Sequence, residues 1–236
     1  MLEIRHAQAR GHANHGWLNS YHTFSFADYF DPAEMGWGPL RVINDDTVAG
    51  GQGFGTHPHR NMEIISYVLE GALEHRDTIG TGSVMRPGDV QMMEAGSGIA
   101  HSEFNHSATE PVHFLQIWIM PNKAGIEPSY QQRHFAEAEK RGKLRLIVSP
   151  DGRDDSLRIQ QDASVYSALL DGEEAITWTK EASRLAYLHV ARGELRVNGL
   201  AVSAGDGIKI AGETRLVLEQ GKQAEVLLFD LPNRSH

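Results

Sequence analysis

Apolar and polar positions alternate in short runs along most of this chain, and turn residues interrupt them at short intervals. Residues 63–69 carry Ile64, Ile65, Tyr67 and Val68, then stop at Glu70-Gly71. Residues 73–76 return, and a turn follows at Gly80 and Gly82. Arg86-Pro87-Gly88-Asp89 marks the next turn, before a strand over residues 90–94. Residues 113–120 (HFLQIWIM) alternate, are strongly apolar, and end at Pro121. Upstream, residues 40–44 read as a strand that ends at an Asp45-Asp46 turn, and residues 50–55 as a glycine-rich loop. Downstream, strands resume over 144–149, 157–160 and 165–170. Short strands separated by turns about every 8–12 residues indicate an all-β, antiparallel sandwich or barrel. Helical signal is confined to about residues 131–141, which predicts a short linker helix.

The loop at 50–55 delivers the chain to His57-Pro58-His59, and a second segment carries His101-Ser102-Glu103. Residues i and i+2 of a strand share a face. If both segments are strands and they pair, three imidazoles and a carboxylate converge. That donor set suits a divalent transition metal, and the absence of thiolates argues against a closed structural zinc site. Glu63 stands four residues after His59, so parity leaves Glu63 and Glu103 both open as the fourth ligand. The strand 113–120 turns inward either His113, Leu115, Ile117 and Ile119 or Phe114, Gln116, Trp118 and Met120. His12, His15 and His22 lie among Trp17, Tyr21, Phe24 and Phe26. They are expected to be hydrogen-bonded histidines in a segment that covers the barrel. Asn105 is open as a donor behind the site or as a turn residue.

A weak internal repeat organises the rest. Val68-Leu69-Glu70-Gly71-Ala72-Leu73-Glu74 resembles Val190-Ala191-Arg192-Gly193-Glu194-Leu195-Arg196, and Pro87-Gly88-Asp89 resembles Ala204-Gly205-Asp206. Residues 117–121 resemble 228–232, and Asn198-Gly199 adds a hairpin signal. Two antiparallel β-barrels of one ancestry follow, over residues 1–130 and 131–236. Aligning Gly71 with Gly193 puts Thr179 opposite His57 and Glu181 opposite His59, while residues 214–216 hold no histidine. The metal site is therefore expected in the first barrel only. His189, the one histidine between residue 144 and the terminal His236, is expected to be satisfied on a strand.

Composition narrows the class. Cysteine is absent, so neither disulfides nor thiolate clusters contribute, and a reducing compartment fits. No apolar leader or membrane-length run is visible, which predicts a soluble, cytoplasmic protein. The formal net charge is −9, without a basic stripe, so direct nucleic-acid binding is not expected.

The paired motifs resemble those of the cupin superfamily, G-x5-H-x-H-x3-E followed by G-x2-H-x3-N. More specifically they resemble the pirin family, through residues 12–26 (HANHGWLNSYHTFSF), 41–45 (RVIND), 57–63 (HPHRNME) and 96–103 (GSGIAHSE). The resemblance covers most of residues 1–170. Gly96 stands where the general cupin pattern has proline, as in pirins, and the interval from Glu63 to Gly71 is one residue longer. The resemblance implies a jelly-roll bicupin. The general cupin pattern implies Glu63 as fourth ligand, whereas the resemblance to pirins implies Glu103. The metal set taken forward is His57, His59, His101 and Glu103, with Glu63 near the pocket or orienting a histidine.

Four protein ligands leave an octahedral ion two open positions for a substrate oxygen or dioxygen. One divalent ion is expected; Fe, Mn, Co, Ni, Cu and Zn all suit the donors. The resemblance to pirins includes quercetin 2,3-dioxygenases, which open the central ring of a flavonol with dioxygen and release carbon monoxide. It thus implies a small aromatic substrate, with Glu103 as general base. A second reading, also implied by pirins, is a metal-dependent protein-interaction or transcriptional co-regulator module. A third keeps an enzyme but gives it isomerase or decarboxylase chemistry.

Overall fold

A computed structural model describes residues 1–233 of the chain; His236 lies outside the described residues. Three sheets hold its strands, which pair antiparallel except where Arg145–Ser149 runs parallel to Leu157–Arg158. A seven-stranded sheet runs in the order Ser129–His134, Asp89–Glu94, Glu63–Glu70, Val112–Ile119, Leu40–Val48, Leu18–His22, Gly11–Asn14. A four-stranded sheet, in the order Gly53–His59, Ile99–Asn105, Leu73–Asp77, Gly82–Met85, covers one of its faces. The second half of the chain builds a nine-stranded sheet around the long strands Leu185–Val197 and Arg215–Leu231. The two halves together make the two-domain cupin fold.

Alternation along each strand decides which face meets which layer. Ile65, Tyr67, Leu69, Leu115, Ile117 and Ile119 leave the seven-stranded sheet on its outer face. There they join Val165, Tyr187, Leu227 and Phe229 of the second half in one buried cluster. Burying side chains of this size stabilises by about 1.5–3 kcal/mol each, so this face locks the halves together. The inner face of the same sheet is apolar only at its two ends. Leu18, Val68, Val112 and Phe114 meet Leu73 and Met85 at one end, and Ile64 and Met93 meet Ile99 at the other. Between these plugs the inner face is polar, and the histidines sit there. Inside the second half, by contrast, the cluster is alanine, leucine, isoleucine and valine throughout.

Chain connections cross between the halves. The first strand, Leu2–Arg5, pairs with Gly207–Ala211 in the nine-stranded sheet, while Ser129–His134 edges the seven-stranded one by pairing with Asp89–Glu94. The predicted linker helix is accordingly much shorter. Residues 131–134 belong to that edge strand, and only Glu137–Lys140 is helical, with the Glu139 carboxylate accepting from the Ala136 N–H at 2.7 Å. The helical signal failed because backbone pairing to the sheet edge outweighs intrinsic propensity.

Two other expectations are corrected. Asp45 and Asp46 do not form a turn: the strand continues through them to Val48. Asp46 is tolerated inside because Ser20 Oγ donates to its Oδ1, and burial pushes its carboxyl up to about 7. Asp45 faces the other way and accepts from His113 Nε2 at 2.6 Å and Arg10 at 3.1 Å. His189 is fully buried on its strand, but neither ring nitrogen has a hydrogen-bond partner, and burial lowers it to about 4. No helix of the described residues is long and apolar enough to cross a membrane.

Candidate metal centre

The two motif segments are strands and they pair. Gly53–His59 and Ile99–Asn105 run antiparallel with His101 opposite His57 and Ile99 opposite His59; a bulge after His101 brings Glu103 opposite Phe54. Gly53 is required by this approach, since a Cβ there would lie 2.5 Å from the Glu103 carbonyl oxygen and Phe104 Cα. His57 and His59 are half-buried on the edge strand, whereas His101 and Glu103 are buried on the next one. Ring nitrogens meet as the parity predicts. His101 Nε2 is 2.9 Å from His57 Nε2, 3.1 Å from His59 Nε2 and 3.2 Å from Glu103 Oε1. These three histidines are the one group with metal-ligand spacing among the described residues.

Tautomers can be assigned from the partners of the other ring nitrogens. His57 Nδ1–H donates to the Gly55 carbonyl at 2.7 Å, which leaves its Nε2 a bare lone pair. Behind His101 stands His75, fully buried, whose Nε2–H donates to Asp77 at 2.7 Å. His75 Nδ1 is therefore an acceptor. It lies 3.4 Å from His101 Nδ1 and 3.3 Å from Gln91 Nε2, so His101 donates through Nδ1 and also presents a bare Nε2. Two lone pairs at 2.9 Å repel unless a cation lies between them. The donor set thus fits a transition-metal ion. Burial, then the neighbouring imidazoles, lowers His101 to about 2; burial and His57 lower His59 to about 4. Both rings are neutral at neutral pH, the form that ligates.

The carboxylate that lies against the three rings is Glu103, with Oε1 3.2 Å from His101 Nε2. Gln116 Nε2 donates to its Oε1 at 2.8 Å, while Oε2 is buried without a partner. Burial, followed by the charge of Asp46, pushes Glu103 up to about 8, a cost that a bound cation reverses. Glu63 is elsewhere. The edge strand ends at His59, Asn61 takes a left-handed φ of 63°, and Glu63 starts a strand of the other sheet. Parity therefore does not carry across residues 60–62. The Glu63 carboxylate accepts from the backbone N–H of Gln160 at 2.5 Å and of Gln161 at 3.0 Å, and so caps a loop of the second half.

Trp118 and Gln116 belong to the inward set of their strand, and the Trp118 ring meets His59 edge-on at 5.2 Å. Asn105 braces a turn, donating to the carbonyls of Val48 and Glu110 and accepting from the Ser107 N–H. His12 is bonded to Asn19 and stacked on Tyr21, and His22 to Ser20. With His15, they line a cavity of about 360 Å³ that reaches Gln116. His75 and Asp77 escaped the sequence reading, and Gln116 stood there only in one of two alternative inward sets. Their signals were an H-x-D pair of matching strand parity and one amide inside an apolar strand.

The pirin family model matches residues 3–119. The chain belongs to the pirin family. A second match, to the quercetinase C-terminal cupin domain, covers residues 146–231 of this pirin. Quercetin 2,3-dioxygenase of Escherichia coli (strain K12) is 50% identical over 233 residues, covering 98% of this chain and 99% of that protein. A pirin-like protein of Caulobacter vibrioides is 41% identical over 98% of this chain and 99% of its own. Among solved structures, bacterial pirin YhhW from Escherichia coli in complex with nickel(II) superposes with a TM-score of 0.93. It is 49% identical and covers 98% of this pirin and 99% of that chain.

Proposed function

We propose that this pirin is a metal-dependent dioxygenase of the quercetin 2,3-dioxygenase type. It opens the central ring of a flavonol with dioxygen and releases carbon monoxide. The observation that carries this reading is the convergence of three imidazole nitrogens and one carboxylate beside a cavity with aromatic walls. His57, His59, His101 and Glu103 hold one divalent transition ion within residues 1–130, and residues 131–236 form a barrel without ligands. The relatives' names and the nickel(II) complex of a related pirin support it.

An ion held by these residues would supply Lewis-acid chemistry to the substrate's oxygens. The chain's own groups do the rest. Gly55 and His75 fix the rings of His57 and His101, so no reorientation is needed when substrate arrives. Gln116 pins Glu103 through Oε1, and the free Oε2 takes the proton of the flavonol 3-hydroxyl. Phe26 and Phe54 wall the cavity that reaches Gln116, and Trp118 packs on Phe26 and His59, so apolar rings limit water on this side of the site.

The test is oxygen uptake with carbon monoxide detection, using quercetin and protein loaded in turn with each candidate ion. Turnover in wild type and its loss in His101→Ala are expected. Equal rates in both would mean that free metal does the oxidation. No uptake with any ion would favour the metal-dependent interaction module.

A further inference from the structure

Five neighbouring strands of the seven-stranded sheet each set one polar side chain at the same level. Register places Gln91 beside Ser66, Ser66 beside Gln116, Gln116 beside Asn44, and Asn44 beside His22. The row meets the metal set directly through Gln116 on Glu103, and indirectly through Gln91 on His75, which backs His101. Buried polar atoms ordinarily have partners. Here Gln91 Oε1, Ser66 Oγ, Asn44 Oδ1 and His22 Nδ1 have none. The interior cluster of the second half, by contrast, is built of alanine, leucine, isoleucine and valine.

The His22–Asn44 end of the row lines the 360 Å³ cavity, together with Phe26 and Phe54. Its hydrogen-bonding character can be assigned. Ser20 Oγ donates to Asp46, so the 2.9 Å contact from His22 Nε2 is an N–H donating into Ser20 Oγ. His22 Nδ1 is then a bare lone pair. Asn44 Oδ1, directly opposite on the adjacent strand, is a second acceptor. Two unpartnered acceptors side by side call for a ligand with two donors. Hydroxyls on an aromatic ring supply them, and Phe26 and Phe54 suit the ring itself. The strand of Gln116 is two spacings from that of His22, about 10 Å, so one flat molecule can reach both Glu103 and this pair.

We propose that His22 and Asn44 form a hydroxyl-reading subsite, which holds a hydroxylated ring of the substrate while its chelating oxygens face His57, His59, His101 and Glu103. The inference rests on the flavonol reading above and deepens it. It requires that affinity depend on hydroxyls remote from the metal.

The experiment is calorimetric titration of nickel-loaded protein, with oxygen excluded, using quercetin and the flavonol that bears only the 3-hydroxyl. Wild type should prefer quercetin by about tenfold or more. Asn44→Leu should lose most of that preference, weakening quercetin about tenfold while the bare flavonol stays within about twofold. His22→Leu is read the same way should Asn44→Leu fail to fold. Equal weakening of both ligands, or an unchanged preference in the variants, would overturn the subsite. The two readings fail differently. Discrimination without oxygen consumption keeps the subsite and removes the dioxygenase. Consumption of both flavonols, bound with equal affinity, removes the subsite and keeps the dioxygenase. No binding of either removes both.

Discussion

His75 and His101 face each other through their Nδ1 atoms at 3.4 Å, and the Asp77 carboxylate closes the chain behind His75 at 2.7 Å. The His101 ring is thereby held in one tautomer by a buried histidine that is not itself in the group at metal-ligand spacing. Asp77 is in turn anchored by the N–H groups of Ile79 and Thr81.

Asp77→Asn should therefore weaken metal affinity about 10–100-fold. The amide can still accept from the Ile79 and Thr81 N–H groups, so the loop is kept while the charge that orients His75 is lost. Chelator competition with nickel reads the affinity; an unchanged constant would mean that His101 needs no such support.

The two glutamates should separate cleanly. Glu103→Gln is expected to lower metal affinity at least about tenfold. Glu63→Gln should leave the metal in place but cost about 1–3 kcal/mol of stability, because its carboxylate accepts two backbone N–H groups of the second half. Metal content and urea unfolding of both variants check this. Metal loss in Glu63→Gln with retention in Glu103→Gln would reverse the assignment.

Glu63 and Glu94 stand opposite one another in adjacent strands. Burial, then its hydrogen bond to Glu63, pushes Glu94 up to about 9 from an ordinary 4.5, and burial raises Glu63 as well. Between those values the folded protein keeps a proton that the unfolded chain has released. Its stabilising contribution is complete below about 4.5 and lost as pH rises through about 9. Stability should fall from pH ~5 to ~9, by at most about 1.4 kcal/mol per pH unit for one proton. Glu94→Gln should flatten that slope. Asp46 and Glu103 are raised too and tilt the curve the same way, so the wild-type minus variant difference is the quantity to measure. Parallel curves would show that the pair does not share a proton.

Gly96 has a left-handed φ of 48°, and a Cβ there would fall 2.1 Å from the Ile126 carbonyl oxygen. That oxygen already accepts from the Ser97 N–H at 2.7 Å. Gly96→Ala should destabilise by about 1–3 kcal/mol, read as a lower thermal midpoint. An unchanged midpoint would show that the loop yields freely.

The sequence by itself determined the all-β, two-domain plan and the pairing of His57, His59, His101 and Glu103. Turn residues and strand parity are local, and the i, i+2 rule holds wherever a strand is unbroken. It determined nothing about Glu63, because parity ends where Asn61 turns the chain into another sheet. Only the tertiary structure decided that Leu115 and Ile117 face the second half while Gln116 and Trp118 face the metal set. Alternation gives two faces without saying what lies beyond either. The same holds for residues 131–134, whose local helical preference yields to an open sheet edge, and for Asp46, whose burial depends on a serine 26 positions away. His75 and Asp77 belong with these. Their role exists only because a strand from a different hairpin brings His101 against them, and that contact is a property of the packed sheet.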